Sequence, residues 1–95
     1  MDRTDERAVK IFKALSNPYR FQLIKILLED SKNISTMAEE LRVESETISN
    51  HLHVLPNCEL VTNQREGNKV YYSVNRPKVV RKLLDIVPDL HRDED

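Results

Sequence analysis

Residues 35–55 read STMAEELRVESETISNHLHVL. Two short helical patterns lie here on either side of a tight connection, Arg42-Val43-Glu44. Ser35 is placed to cap the first, whose Met37, Ala38 and Leu41 face inward. The second opens at Glu44 or Ser45 and runs to Val54 or Leu55, where Pro56 stops it. Two short helices joined by about three residues have helix-turn-helix spacing. The second helix is two-sided. At about 100° per residue, Ile48, Leu52 and Leu55 point one way. Glu46, Asn50 and His53 point nearly the opposite way, with Thr47 and Ser49 on the flanks.

The chain on either side completes the pattern. Upstream, Thr4 is placed to cap a first helix, with Asp5 and Glu6 in its opening turn, where acids suit the helix dipole. Ala8, Ile11, Phe12 and Leu15 then fall on one face. Asn17-Pro18 starts a second helix as N-cap and first helical residue. Its Phe21, Leu23, Ile24, Ile26, Leu27 and Leu28 are apolar on nearly every side, which suits the middle of a core. Downstream, Leu60–Arg65 and Lys69–Val74 read as short strands. In the second, Val70, Tyr72 and Val74 alternate with Lys69, Tyr71 and Ser73. Gly67, the one glycine of the chain, stands between them, where a hairpin turn calls for positive φ. After Asn75-Arg76-Pro77, another cap-and-proline start, comes a last helix with two apolar stripes. One is Val80, Leu83, Leu84 and Val87; the other is Val79, Leu83, Ile86 and Leu90. Together they are wider than a single core-facing stripe, which points to burial against a second copy; a terminal helix wrapped on its own domain is the alternative.

The expected fold is mainly α with a small β-hairpin, in the order α-α-α-α-β-β-α: a winged helix-turn-helix. It fills residues 1–95 as one domain, with the helix-turn-helix at about 35–55 and the wing at about 59–74. Helices at about 4–15 and 76–90 are left for dimerisation.

With 95 residues the chain has room for one small domain with a thin core, so self-association is expected from size alone. Fifteen Lys and Arg against sixteen Asp and Glu give a net charge of −1, which excludes a blanket polycation. Residues 89–95 carry −3 of it, leaving +2 on the rest. No apolar run is long enough to cross a membrane, no signal-peptide core opens the chain, and a cytoplasmic setting is expected. One cysteine, Cys58, excludes an internal disulfide and a Cys-based zinc site within one chain. No nucleophile motif or phosphate loop suggests an enzyme, and no cofactor is expected.

In a winged helix-turn-helix the second helix of the motif enters the major groove and the hairpin approaches the backbone or minor groove. The candidate base-reading residues are Ser45, Glu46, Thr47, Ser49, Asn50 and His53. Asn pairs bidentately with adenine, Glu accepts from cytosine, and Ser or Thr suits bases or phosphate. The candidate wing contacts are Gln64, Arg65, Asn68 and Lys69, where flexible cations meet phosphate. The same charges also serve as ordinary edge-strand protection. The candidate dimer interface is Ile11, Phe12, Leu15, Val79, Val80, Leu83, Leu84, Ile86, Val87 and Leu90. His51, on the rim of the buried side, reads as a packed histidine rather than a ligand, and Cys58 as an inert thiol. Arg76, Lys78, Arg81 and Lys82 form a basic cluster on the solvated face of the last helix.

Three stretches carry a family resemblance: FKALSNPYRFQLIKILLED at 12–30, STMAEELRVESETISNHLHVL at 35–55, and NQREGNKVYYSVN at 63–75. In this order they resemble the ArsR/SmtB family of prokaryotic transcriptional repressors, over about residues 8–87. The resemblance implies a homodimer joined by its first and last helices, bound to double-stranded operator DNA, and often released by a metal or an oxidant. It also has departures. The Cys-x-Cys metal box of many members corresponds to Asn33 and Ser35 here. Asp89-Leu90-His91 imitates half of a second family metal site, and the chain ends four residues later. A member without metal sensing is therefore implied, its small-molecule or redox inducer unknown. Arg42 takes a turn position often filled by Gly, Pro56 cuts the recognition helix short, and Glu44 and Glu46 bring two acids near the DNA. Two other functions fit the residues: a sensor of the same fold switched through Cys58 or an unidentified pocket, and a winged-helix protein-interaction module that binds no DNA.

Overall fold

Side chains that satisfy orphan amides set most of the helix starts. In the computed structural model, which describes residues 2–55 and 59–91 with side chains to 86, α1 spans Arg3–Leu15. Asp2 caps it in place of the expected Thr4: its carboxylate accepts from the Asp5 amide at 2.8 Å, and its carbonyl from Glu6. A carboxylate at this end also meets the positive pole of the helix, which a Thr hydroxyl cannot match. Helix α2, Pro18–Glu29, starts as the sequence predicts, with Asn17 Oδ1 accepting from the amides of Tyr19 and Arg20 at 2.9 and 3.1 Å. Helix α3, Ile34–Leu41, is capped by Asn33 and not by Ser35. Asn33 Oδ1 accepts from the Thr36 amide at 2.9 Å, and Ser35, already helical, donates its hydroxyl to the same oxygen.

Helix α3 closes through paired bonds, Val43 N–H to Ala38 C=O and Arg42 N–H to Glu39 C=O, which need a left-handed residue between helix and turn. Arg42 supplies it at φ 56°, ψ 48°. An L-residue there costs about 1–2 kcal/mol, part of which glycine returns as unfolded-chain entropy. Arg42→Gly is therefore expected to stabilise the fold by about 0.5–1 kcal/mol in a urea titration. A lower midpoint at unchanged slope would show that Arg42 makes compensating contacts.

Helix α4, Ser45–Leu52, begins after Glu44 with no side-chain cap and ends short of the expected Val54 or Leu55. The amides of Val54 and Leu55 turn back to His51 and Leu52 in tight i→i−3 bonds. Pro56, the expected stop, and Cys58 lie outside the described residues. Strands β1, Val61–Glu66, and β2, Lys69–Val74, pair antiparallel with Val61 opposite Val74 and Glu66 opposite Lys69. The turn is therefore only Gly67-Asn68, with Gly67 at φ 65°. The first strand lies one residue later than predicted because the Leu60 amide is held by the Leu55 carbonyl at 3.4 Å. Lys32 pairs with Tyr72 in both directions, at 3.1 and 2.8 Å, as an isolated antiparallel bridge to β2.

Helix α5 spans Pro77–His91. Asn75 does not serve its start as a side-chain cap would. Its Nδ2 donates to the Glu59 carbonyl at 3.0 Å and closes the base of the wing. Leu23, Ile24, Met37, Ile48 and Leu55 are the fully buried centre, contributed by α2, α3, α4 and the turn after it. Val80 is 4% exposed and belongs to this core. Within the subunit Val80 therefore packs inward and is not presented on the surface: Pro77 starts α5 so that Val80 and Leu84 turn inward, while Val79 and Ile86 turn out.

Arg20 ties α1 to α2. Its Nε donates to the Ala14 carbonyl at 2.7 Å and its guanidinium reaches the Lys13 carbonyl at 3.5 Å. Both are last-turn carbonyls of α1, where a cation also meets the negative pole. Arg20→Met is expected to lower stability by about 1.5–3 kcal/mol, the range for hydrogen bonds to a charged group. An unchanged urea midpoint would show that these bonds contribute nothing.

Candidate nucleic-acid interface

Ile48 and Leu52 anchor α4 in the core, and Leu55 follows them. Their burial fixes which side of the helix is presented to solvent. Ser45, Glu46, Asn50 and His53 are exposed, and Thr47 and Ser49 are half-buried on the flanks. The outward face is thus short, polar and rich in hydrogen-bonding groups, with one acid at Glu46.

Gln64, Arg65, Asn68 and Lys69 are all exposed on the wing. Register separates the two cations. Lys69 stands directly opposite Glu66, whereas Arg65 stands opposite Val70. An acid across the strand pair offsets part of the field of Lys69, so Arg65 is the stronger phosphate-seeking group. On the core side, the Lys32 bridge braces β2, and Lys32 itself pairs with Glu40 of α3. The hairpin is therefore tethered to the helix-turn-helix through Lys32.

The remaining predicted residues divide by exposure. Phe12 is 60% exposed, Val79 62% and Ile86 52%. Ile11, Leu15 and Leu84 pack partly against the core, and Leu83 is half-buried. The side chains of Val87 and Leu90, with Asp89 and His91, lie outside the described residues. Arg81 is not simply solvated. It donates to the Leu28 carbonyl at 2.9 Å and faces Glu29 at 3.7 Å, securing α5 to the last turn of α2.

His51 is half-buried, and its ring stacks on Tyr19 with centroids 5.4 Å apart and planes 22° apart. Burial, and then the Arg20 charge, lower its pKa from the ordinary histidine value. Sequence reading missed Tyr19, whose partner lies on another helix and leaves no periodic signal. Asn33 and Ser35 are engaged in capping α3. Among the described residues no cluster of three His, Cys, Asp or Glu side chains could hold a metal ion. None of the described helices is long and apolar enough to cross a membrane.

The profile of the bacterial regulatory protein arsR family matches residues 17–63, from the cap of α2 into β1. An HTH-type transcriptional regulator of Methanocaldococcus jannaschii is 35% identical over 83 residues, 84% of this chain and 93% of that protein. The chain belongs to the arsR family. The transcriptional repressor SdpR of Bacillus subtilis is 32% identical over 65 residues, 68% of this ArsR-family chain and 72% of SdpR. Among solved structures, the homodimeric winged helix-turn-helix DNA-binding domain of a possible ArsR-family regulator from Mycobacterium bovis superposes with a TM-score of 0.84. It is 27% identical and covers 100% of this chain and 93% of its own. The five helices and two strands thus form a winged helix-turn-helix in the order α-α-α-α-β-β-α.

Proposed function

We propose that this ArsR-family chain is a homodimeric transcriptional repressor that binds an inverted-repeat operator, and not an enzyme. One observation carries the reading: α4 turns Glu46, Asn50 and His53 outward while Ile48 and Leu52 lock it to the core. Such a helix can enter a major groove as a rigid unit. Asn50 meets a base edge near the middle of that face, with Ser45, Glu46, Thr47, Ser49 and His53 around it. Arg65, Lys69, Gln64 and Asn68 on the wing meet phosphate or the minor groove. Phe12 on α1 and Val79 and Ile86 on α5 are large apolar groups left in water, and a second copy removes them from it. A two-fold dimer reads two half-sites as an inverted repeat. Occupancy of such a site excludes polymerase, in keeping with the similarity to SdpR.

Selection of bound sequences from random DNA tests the reading. Recovery of an inverted repeat, with half-sites about one helical turn apart, is the expected result. Binding with no recoverable motif, or none that weakens steeply with salt, would overturn it.

No zinc-type regulation is proposed. Tight binding of zinc needs about four N, S or carboxylate ligands, and Asn33 and Ser35 offer no thiolate. Operator affinity is expected to be the same with a chelator or with micromolar zinc. A reversible loss of affinity at one metal per subunit would refute this.

A further inference from the structure

We infer that Tyr19 and His51 are positioning residues for DNA reading: their stacked rings set the roll of α4, and so the direction in which Asn50 and Glu46 project. This rests on the proposed operator-binding function and adds to it two residues outside the outward face.

Helix α4 is only eight residues long and has no side-chain cap at its start. Beyond Leu52 it dissolves into tight turns. Ile48, Leu52 and the following Leu55 fix which side of α4 faces the core, yet apolar contacts are non-directional and set the last few degrees of its roll less sharply than a directional contact does. A ring stack is directional. The Tyr19 and His51 planes lie 22° apart at 5.4 Å, and His51 directly follows Asn50 in the helix. Any roll of α4 that moves Asn50 along the groove floor must also slide His51 across the Tyr19 ring.

Tyr19 is itself held on a rigid base. Its amide donates to Asn17 Oδ1, which also accepts from the Arg20 amide, in the opening turn of α2. The neighbouring Arg20 side chain fastens that turn to the Ala14 carbonyl at the end of α1. The reading helix is therefore oriented from the α1–α2 corner, the same α1 that carries the exposed Phe12. A Tyr19 placed only for packing would give stability without selectivity. A Tyr19 placed for orientation gives selectivity as well.

The test compares Tyr19→Ala, Tyr19→Phe and His51→Phe with the unmodified full chain, using an operator obtained by selection and random DNA at one salt concentration. Tyr19→Ala is expected to lower the ratio of operator to random affinity by about tenfold per half-site, the range of one misplaced base contact. Its random-DNA affinity and oligomeric state should stay as they are. Tyr19→Phe and His51→Phe keep two stacked rings and are expected to keep the ratio. In proton spectra the ring-current shift of the His51 imidazole protons should vanish in Tyr19→Ala and persist in Tyr19→Phe. If Tyr19→Ala is too unstable to assay, Tyr19→Leu replaces it, keeping bulk without a π face. An unchanged ratio with the ring-current shift lost would overturn the inference alone. A drop in random-DNA affinity for His51→Phe would also overturn it, by making His51 a phosphate contact. An unmodified chain that does not discriminate operator from random DNA would overturn the proposed function, and this inference with it.

Discussion

Val79→Asp is expected to give a folded monomer whose operator affinity is lower by about 100-fold or more, the gain that linking two half-site readers supplies. Among the described residues Val79 is the most exposed of the large apolar side chains, at 62%, and lies on α5 two turns before the exposed Ile86. A carboxylate there makes no demand on the monomer core. In a symmetric seam it appears twice, and each buried unpaired charge costs several kcal/mol. Covering one such apolar side chain fully contributes only about 1.5–3 kcal/mol. The charge therefore outweighs what it replaces, and the dimer opens. Analytical ultracentrifugation reads the oligomeric state, and circular dichroism reads the fold. Leu83, the natural choice from sequence because both apolar stripes share it, is half-buried in the subunit. Leu83→Asp would mix loss of dimer with loss of fold. A Val79→Asp chain that sediments as a dimer would remove α5 from the interface.

Periodicity made the architecture legible. The inward set Ile48, Leu52 and Leu55, the alternation through Val70, Tyr72 and Val74, and a lone glycine between two strand patterns each encode local geometry that tertiary context leaves intact. The errors have a common physical origin. Asp2 and Asn33 displaced Thr4 and Ser35 as caps because all four are good N-caps, and which one is used depends on where the preceding chain turns. Lys32 pairs with Tyr72 through backbone alone, so no side-chain pattern announces it. Val80 and Val79 are neighbours of equal hydrophobicity on a two-striped helix, and only the docking angle of α5 decides which is core. The candidate reading face was legible for the same reason as the fold, since it is the complement of the buried stripe. The Tyr19–His51 stack was not, because the two residues are far apart in sequence.

Asn50→Ala and Arg65→Ala separate reading from positioning on the DNA, and their effects are expected to differ in kind. Asn50 is exposed on the outward face of α4, directly before the stacked His51. A carboxamide there can give and accept one hydrogen bond each at a base edge. Its loss should cost about 1–3 kcal/mol per half-site on the operator, and twice that for a symmetric dimer, with random-DNA binding nearly unchanged. Arg65 is exposed on β1 opposite Val70, with no acid directly across the strand pair. A cation on phosphate releases a counterion whatever the sequence. Arg65→Ala should therefore weaken operator and random complexes together, and flatten the slope of log affinity against log salt by about one unit per subunit. Lys69→Ala should do the same to a smaller degree, because Glu66 stands across from Lys69 and already offsets part of its charge. One salt titration on both DNAs, run for all three variants, distinguishes the two classes. A flatter slope for Asn50→Ala, or a change of sequence preference alone for Arg65→Ala, would reverse the assignment of helix to bases and wing to backbone.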